Sequence, residues 1–130
     1  MSPLSDLVVC LDLHRLMVYG ASTWDWHRIH YNQEAARAQG LRGPIADGQI
    51  FGALIARQVR EWAGPRARFV ELEFQNRNFV VAPSTVTVVS RVASAQVLSA
   101  MERIEIVSHA LDGQGRRVMD HGRTVVELPR

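Results

Sequence analysis

The sequence predicts an α+β domain in which helices come first and an antiparallel sheet follows and packs on one long helix. Two observations carry this. Over residues 47–63 the apolar residues Ile50, Phe51, Leu54, Ile55, Val59 and Trp62 recur at three- and four-residue spacing, with Arg57, Arg60 and Glu61 between them. After Pro65 the period changes to two, with Val70, Leu72 and Phe74 alternating with Glu71, Glu73 and Gln75.

In chain order, residues 7–11 form a short strand. Asp12 then caps a helix with Leu13, Leu16 and Met17 on one face, which Gly20 ends. Asn32 caps a second helix over residues 33–39, closed by Gly40. The long helix over 47–63 stops at Gly64-Pro65. Strands follow from Val70, over 85–92 after the break at Pro83, over 102–110 and over 123–128. Asp112-Gly113 and Gly115 mark the hairpin between the last two, and the strands form a meander of about five or six members with the first.

A chain of 130 residues is one domain, 1–130, without repeat or linker. Its net charge of +2 comes from 15 basic and 13 acidic residues with no basic run, which excludes a nucleic-acid footprint. No stretch approaches the length of a membrane span. The single cysteine, Cys10, lies among Val8, Val9 and Leu11 and reads as a buried apolar thiol in a reducing interior. These readings place the protein in the cytoplasm.

The chemistry-bearing residues lie between Asp25 and Gly48. Asp25 and His30, five positions apart, pair a carboxylate with an imidazole, the side chain that titrates nearest neutral pH. Asp25 also reads as a cap for the turn over 26–30, and His30 as a core histidine tied to a backbone carbonyl. Trp24 and Trp26 put Asp25 in apolar company, which raises a carboxyl pKa unless His30 or backbone amides hold the charge. Gly48, at the long helix's first turn, offers an amide to an oxyanion; its alternative is a packing glycine under a strand. Asp47 reads as an N-cap ahead of a catalyst. His27 and His30 with Asp25 lack the further ligands of a recognisable metal site. His14, His109 and His121 read as ordinary surface or sheet residues. Trp24, Trp26, Phe51 and Trp62 read as core that can double as an acyl-binding wall.

The run from Tyr19 through Trp24-Asp25-Trp26-His27-Arg28-Ile29-His30, then Ala35-Ala36, Gly40 and Pro44-Ile45-Ala46-Asp47-Gly48-Gln49, resembles the signature of the MaoC-like hydratases and dehydratases of the hotdog fold. Trp62-Ala63-Gly64-Pro65 and residues 69–74 extend the likeness over most of the chain. The resemblance implies a single hotdog, a sheet wrapped around the long helix, in which Asp25 and His30 do the acid-base work and Gly48 gives its amide to the thioester oxygen. It implies reversible hydration of a 2-enoyl thioester, acyl-CoA or acyl carrier, to the (R)-3-hydroxyacyl thioester, without a cofactor or metal. A single sheet of this kind leaves apolar surface uncovered, so a homodimer or heterodimer with another hotdog chain, joined edge to edge, is expected. The family usually has Asn-Pro at His27-Arg28 and His-Gly at Asp47-Gly48, departures that bear on substrate preference and local pKa values. They favour a second reading, a pocket-shaping hotdog subunit of a heteromeric hydratase; a thioesterase is a third.

Overall fold

The structure, a computed structural model, describes residues 3–130. Its elements are β1 (Leu7–Leu11), α1 (Leu13–Thr23), a 3-10 turn (Arg28–His30), α2 (Gln33–Ala38), α3 (Ile50–Ala63), β2 (Arg68–Asn76), β3 (Ser84–Leu98), β4 (Met101–Leu111) and β5 (Arg117–Pro129). The five strands make one antiparallel sheet in the order β1-β3-β4-β5-β2. The expected meander therefore holds for β3 to β5 only. β2 pairs with β5 at the far edge, because the segment after it crosses the opening of α3 before β3 begins.

The core is the apolar stripe of α3 against the inner face of the sheet. Ile50, Phe51, Leu54, Ile55 and Val59 share one buried cluster with Val86, Val88, Ile104, Ile106, Val118, Met119 and Val126. The cluster also encloses a polar link: Gln58 of α3 donates to the carbonyls of Ser5 and Val88 and accepts from Ser90 Oγ. Pairing that amide on all sides removes the cost of burying it.

Both caps form as the sequence predicts. Asp12 Oδ1 accepts the Arg15 N–H at 2.8 Å, and Asn32 Oδ1 accepts the Ala35 N–H at 2.8 Å. Gly20 does not end α1. The helix continues to Thr23, and Trp24 closes it in the left-handed region with φ 59°. Gly20 instead lets the chain fold back closely: Asp25 N–H donates to its carbonyl at 2.9 Å, and an added Cβ would stand 2.8 Å from the Asp25 carbonyl oxygen. Helix α3 likewise starts later than expected, at Ile50, because residues 47–49 are spent in a turn.

Four burial expectations change. Cys10 is exposed, since it alternates with buried Val9 and Leu11 on an edge strand. Leu13 and Met17 of α1 are exposed, and only Leu16 reaches the core. Val70 is also exposed, because a bulge between Phe69 and Glu71 shifts the alternation and turns Phe69, Leu72 and Phe74 to the helix. Trp24 is 80% and Trp26 49% exposed, stacked edge to face at 5.8 Å; of the expected aromatic wall, Phe51 is buried and Trp62 packs on the core.

Among the described residues no helix is long and apolar enough to cross a membrane.

Candidate active site

The site forms where two irregular segments meet over the opening of α3. Ala46 N–H donates to Val80 O and Ala82 N–H to Pro44 O, each at 2.8 Å, so the crossing from β2 to β3 is stitched to the segment that leads into the helix. This pairing satisfies backbone groups outside the sheet and roofs a cavity of about 480 Å³. His30, Gly48, Phe51, Asn76, Phe79 and Val80 are among its lining residues. A cavity of about 500 Å³ on the sheet contains neither Asp25 nor His30.

His30 is fixed from both sides. The 3-10 turn presents its ring, and Nδ1 lies 2.7 Å from the Ile45 carbonyl oxygen while Ile45 N–H donates to Ile29 O at 3.0 Å. A carbonyl can only accept, so Nδ1 carries a proton and the neutral ring leaves the Nε2 lone pair free. Nε2 stands 3.9 Å from Asp25 Oδ2. The tie to a backbone carbonyl expected of a core histidine therefore uses Nδ1 and leaves Nε2 on the side of Asp25.

Asp25 is hung from the end of α1 and accepts the His27 N–H at 3.2 Å through Oδ1. Its pKa is lowered, first by a hydrogen bond with the Asp47 carboxyl, then by the His27 amide, with smaller help from the two histidines. Both tryptophans turn outward, so the apolar push expected from them is weak and the charge is held. Asp47 moves the other way: burial, the hydrogen bond with Asp25 and its negative charge raise it, against the Gln49 amide. Burial and the same two carboxyls raise Tyr19.

Gly48 sits in the turn that opens α3, and its N–H has no acceptor among the described residues. An added Cβ would run into the Asn76 amide at the end of β2, so the glycine is also a close-packing position. Asp47 caps that turn, accepting the Gln49 N–H at 3.0 Å, whereas the first turn of α3 itself has no side-chain cap.

One ligand atom each of Asp25, His30 and Asp47 lies within 4.8 Å of the others. Asp47 takes the place in this cluster that the sequence offered to His27, whose Nδ1 accepts the Ile29 N–H instead. Three donors fall one short of a closed tetrahedral set. Chemically the group can hold a water and move a proton beside the cavity that His30 and Gly48 both line. Sequence reasoning missed Asn76 and Phe79, which carry no motif; it gave Tyr19 no role beyond opening the signature, and gave Asp47 a cap and an effect on substrate preference and local pKa values.

The MaoC-like domain family matches residues 7–111. No curated protein matches the chain. A chain of the ChsH1-ChsH2 complex from Mycobacterium tuberculosis superposes with a TM-score of 0.84 at 22% identity, over 99% of this chain and 96% of that one. The R-hydratase PhaJ1 from Pseudomonas aeruginosa gives 0.87 at 18% identity, over 97% and 79%. The (R)-hydratase from A. caviae involved in PHA biosynthesis gives 0.85 at 14% identity, over 99% and 98%. The fold is the hotdog, and the chain belongs to the MaoC-like family of hydratases and dehydratases.

Proposed function

We propose that this member of the MaoC-like family reversibly hydrates a 2-enoyl thioester, carried on coenzyme A or an acyl carrier, to the 3-hydroxyacyl thioester, with no cofactor. The observation that carries the reading is His30, locked by Ile45 with Nε2 turned to Asp25, at a cavity that the open Gly48 amide also lines. In the hydration direction Asp25 holds a water and His30 Nε2 takes its proton as the oxygen bonds to C3. The negative charge that passes to the thioester oxygen is met by the Gly48 N–H, a contact worth about 3 kcal/mol in related acyl chemistry. His30 then returns the proton to C2, so water's oxygen and hydrogen both end on the product and the side chains are restored. Asp25, kept ionised by its hydrogen bonds, offsets the imidazolium in between.

Likeness to two proteins named as R-hydratases supports the (R) product. Assembly with a second hotdog chain, identical or not, belongs to the same proposal, as does a cytoplasmic location. Likeness to a chain of the ChsH1-ChsH2 complex, together with His27-Arg28 and Asp47, supports the partner-subunit reading. The test is to follow the enoyl absorbance of crotonyl-CoA and longer or branched enoyl-CoAs with the purified, folded chain. Loss of absorbance without free thiol is the expected result. Thiol release from saturated acyl-CoA would favour a thioesterase, and no reaction with any substrate the partner-subunit reading.

A further inference from the structure

Asp47 has no part in a two-residue acid-base mechanism, yet it stands inside the site. It lies two residues beyond Ile45, whose carbonyl holds His30, and its Oδ1 is occupied by the Gln49 N–H. The carboxyl faces Asp25, and Asp25, His30 and Asp47 are all half-buried, with one polar atom of each within 4.8 Å of the other two. A carboxylate only accepts hydrogen bonds, so two ionised carboxylates at this range repel, and one proton held between them turns the repulsion into a hydrogen bond. Among the described residues the one basic side chain close to either carboxyl is His30, with Nε2 3.9 Å from Asp25 Oδ2, and it is charged only when protonated. The other titratable groups that act on the pair are His27 beside the 3-10 turn and Tyr19 of α1, and neither supplies the permanent positive charge that would let both carboxyls ionise.

We propose that Asp47 and Asp25 share one proton and that Asp47 is a positioning residue of the acid-base site, holding the Asp25 carboxylate toward His30. The role in turnover rests on the hydration reading above. Burial of Asp47 favours leaving the proton on its side. Apparent titration steps then belong to the pair and not to either residue alone. With the proton in place Asp25 is ionised and aimed. As pH rises through the raised value of Asp47 the proton leaves, repulsion drives the carboxylates apart, and kcat falls while KM holds.

The experiment has a kinetic and a titration arm. Asp47→Asn keeps a donor for Asp25 and an acceptor for Gln49 but has no proton to lose. Its kcat on the acid side of the limb should stay within about threefold of wild type, and the alkaline fall should vanish or move up. Asp47→Ala should lose about ten- to a hundredfold in kcat with KM unchanged, the cost of a misplaced reacting group. Superimposable pH profiles for wild type and Asp47→Asn would overturn the proposal. In the second arm, carboxyl 13C NMR titration of Asp25→Asn reads the pair without turnover. The Asp47 midpoint should fall by about a unit or more once the like charge is gone. An unmoved midpoint overturns the shared proton whatever the activity; a moved one in a protein that hydrates no enoyl thioester upholds it and sinks the hydration reading instead.

Discussion

The segment 25–48 and the helix-sheet body that follows it are held together in opposite ways. In the body, Ile104, Ile106, Val118 and Met119 have no exposed surface, and apolar packing does the work. In the segment, the 3-10 turn has no buried residue and the Asp25 side chain is 37% exposed. What fixes it, beside the buried Ala36, Ile45 and Ala46, is a handful of hydrogen bonds to the carbonyls of Gly20, Ile29, Ile45 and Val80. Such an arrangement lets polar, partly wet groups stand in a defined geometry on a rigid support. Chemistry and stability should therefore separate on substitution.

The largest effect should come from the segment. Asp25→Asn and His30→Ala should each slow hydration by about a hundredfold to ten-thousandfold, with the double variant little worse than the poorer single one, because both serve one transition state. Asn preserves the size of Asp25, so melting temperature should barely move. His30→Ala also gives up its bond to Ile45, at about 1 kcal/mol. Turnover within about threefold of wild type in either single variant would take the pair out of the mechanism and end the contrast.

The body should answer the other way. Ile106→Ala, at a fully buried inner-face position, should cost about 2–5 kcal/mol of stability. Turnover per folded molecule should stay near wild type, and a loss of catalysis as large as that of His30→Ala would show the two regions to be coupled.

Gly48 joins the regions and should show both effects in smaller measure. Gly48→Ala should lower turnover by about tenfold, because the methyl displaces the Asn76 amide into the cavity and crowds the oxyanion position. Adding Asn76→Ala should restore part of the folding stability. A wild-type rate in Gly48→Ala would make the glycine a packing residue only.

The smallest effect concerns pH and the sheet alone. Glu127 pairs with Arg68 at 2.6 Å and Arg103 at 2.9 Å, and these hydrogen bonds, Arg68 first, hold its pKa below the ordinary 4.5. A folded value below the unfolded one means the contribution is complete above the unfolded value and is lost as pH falls through the folded one. Urea melts from pH 6 to pH 3 should show Glu127→Gln flattening this acid loss, and equal slopes would leave the ion pairs without weight.

Much of both regions was legible, for local reasons. The caps at Asp12 and Asn32, the stops at Gly40 and Gly64, and the stripe from Ile50 to Val59 depend on neighbours within a turn or two. The strand faces were less so. Alternation sets which residues share a side, but one bulge moved Val70 outward, and nothing local says that β1 lies at an edge, which exposed Cys10. Trp24 and Trp26 were misread because apolar content does not say whether a surface lies within reach to cover it.

By itself the sequence determined the element types, the helix boundaries to within a few residues and the spacing of Asp25 and His30. Tertiary structure decided that β2 pairs with β5, that residues 77–83 cross over 44–46 to roof the cavity, and that Asp47 meets Asp25. The physical reason is one of range. Backbone dihedrals and periodicity act over a few residues and leave their mark in the order of amino acids. Pairing between distant segments depends on which surfaces remain to be buried and which backbone groups remain to be bonded once the rest has folded.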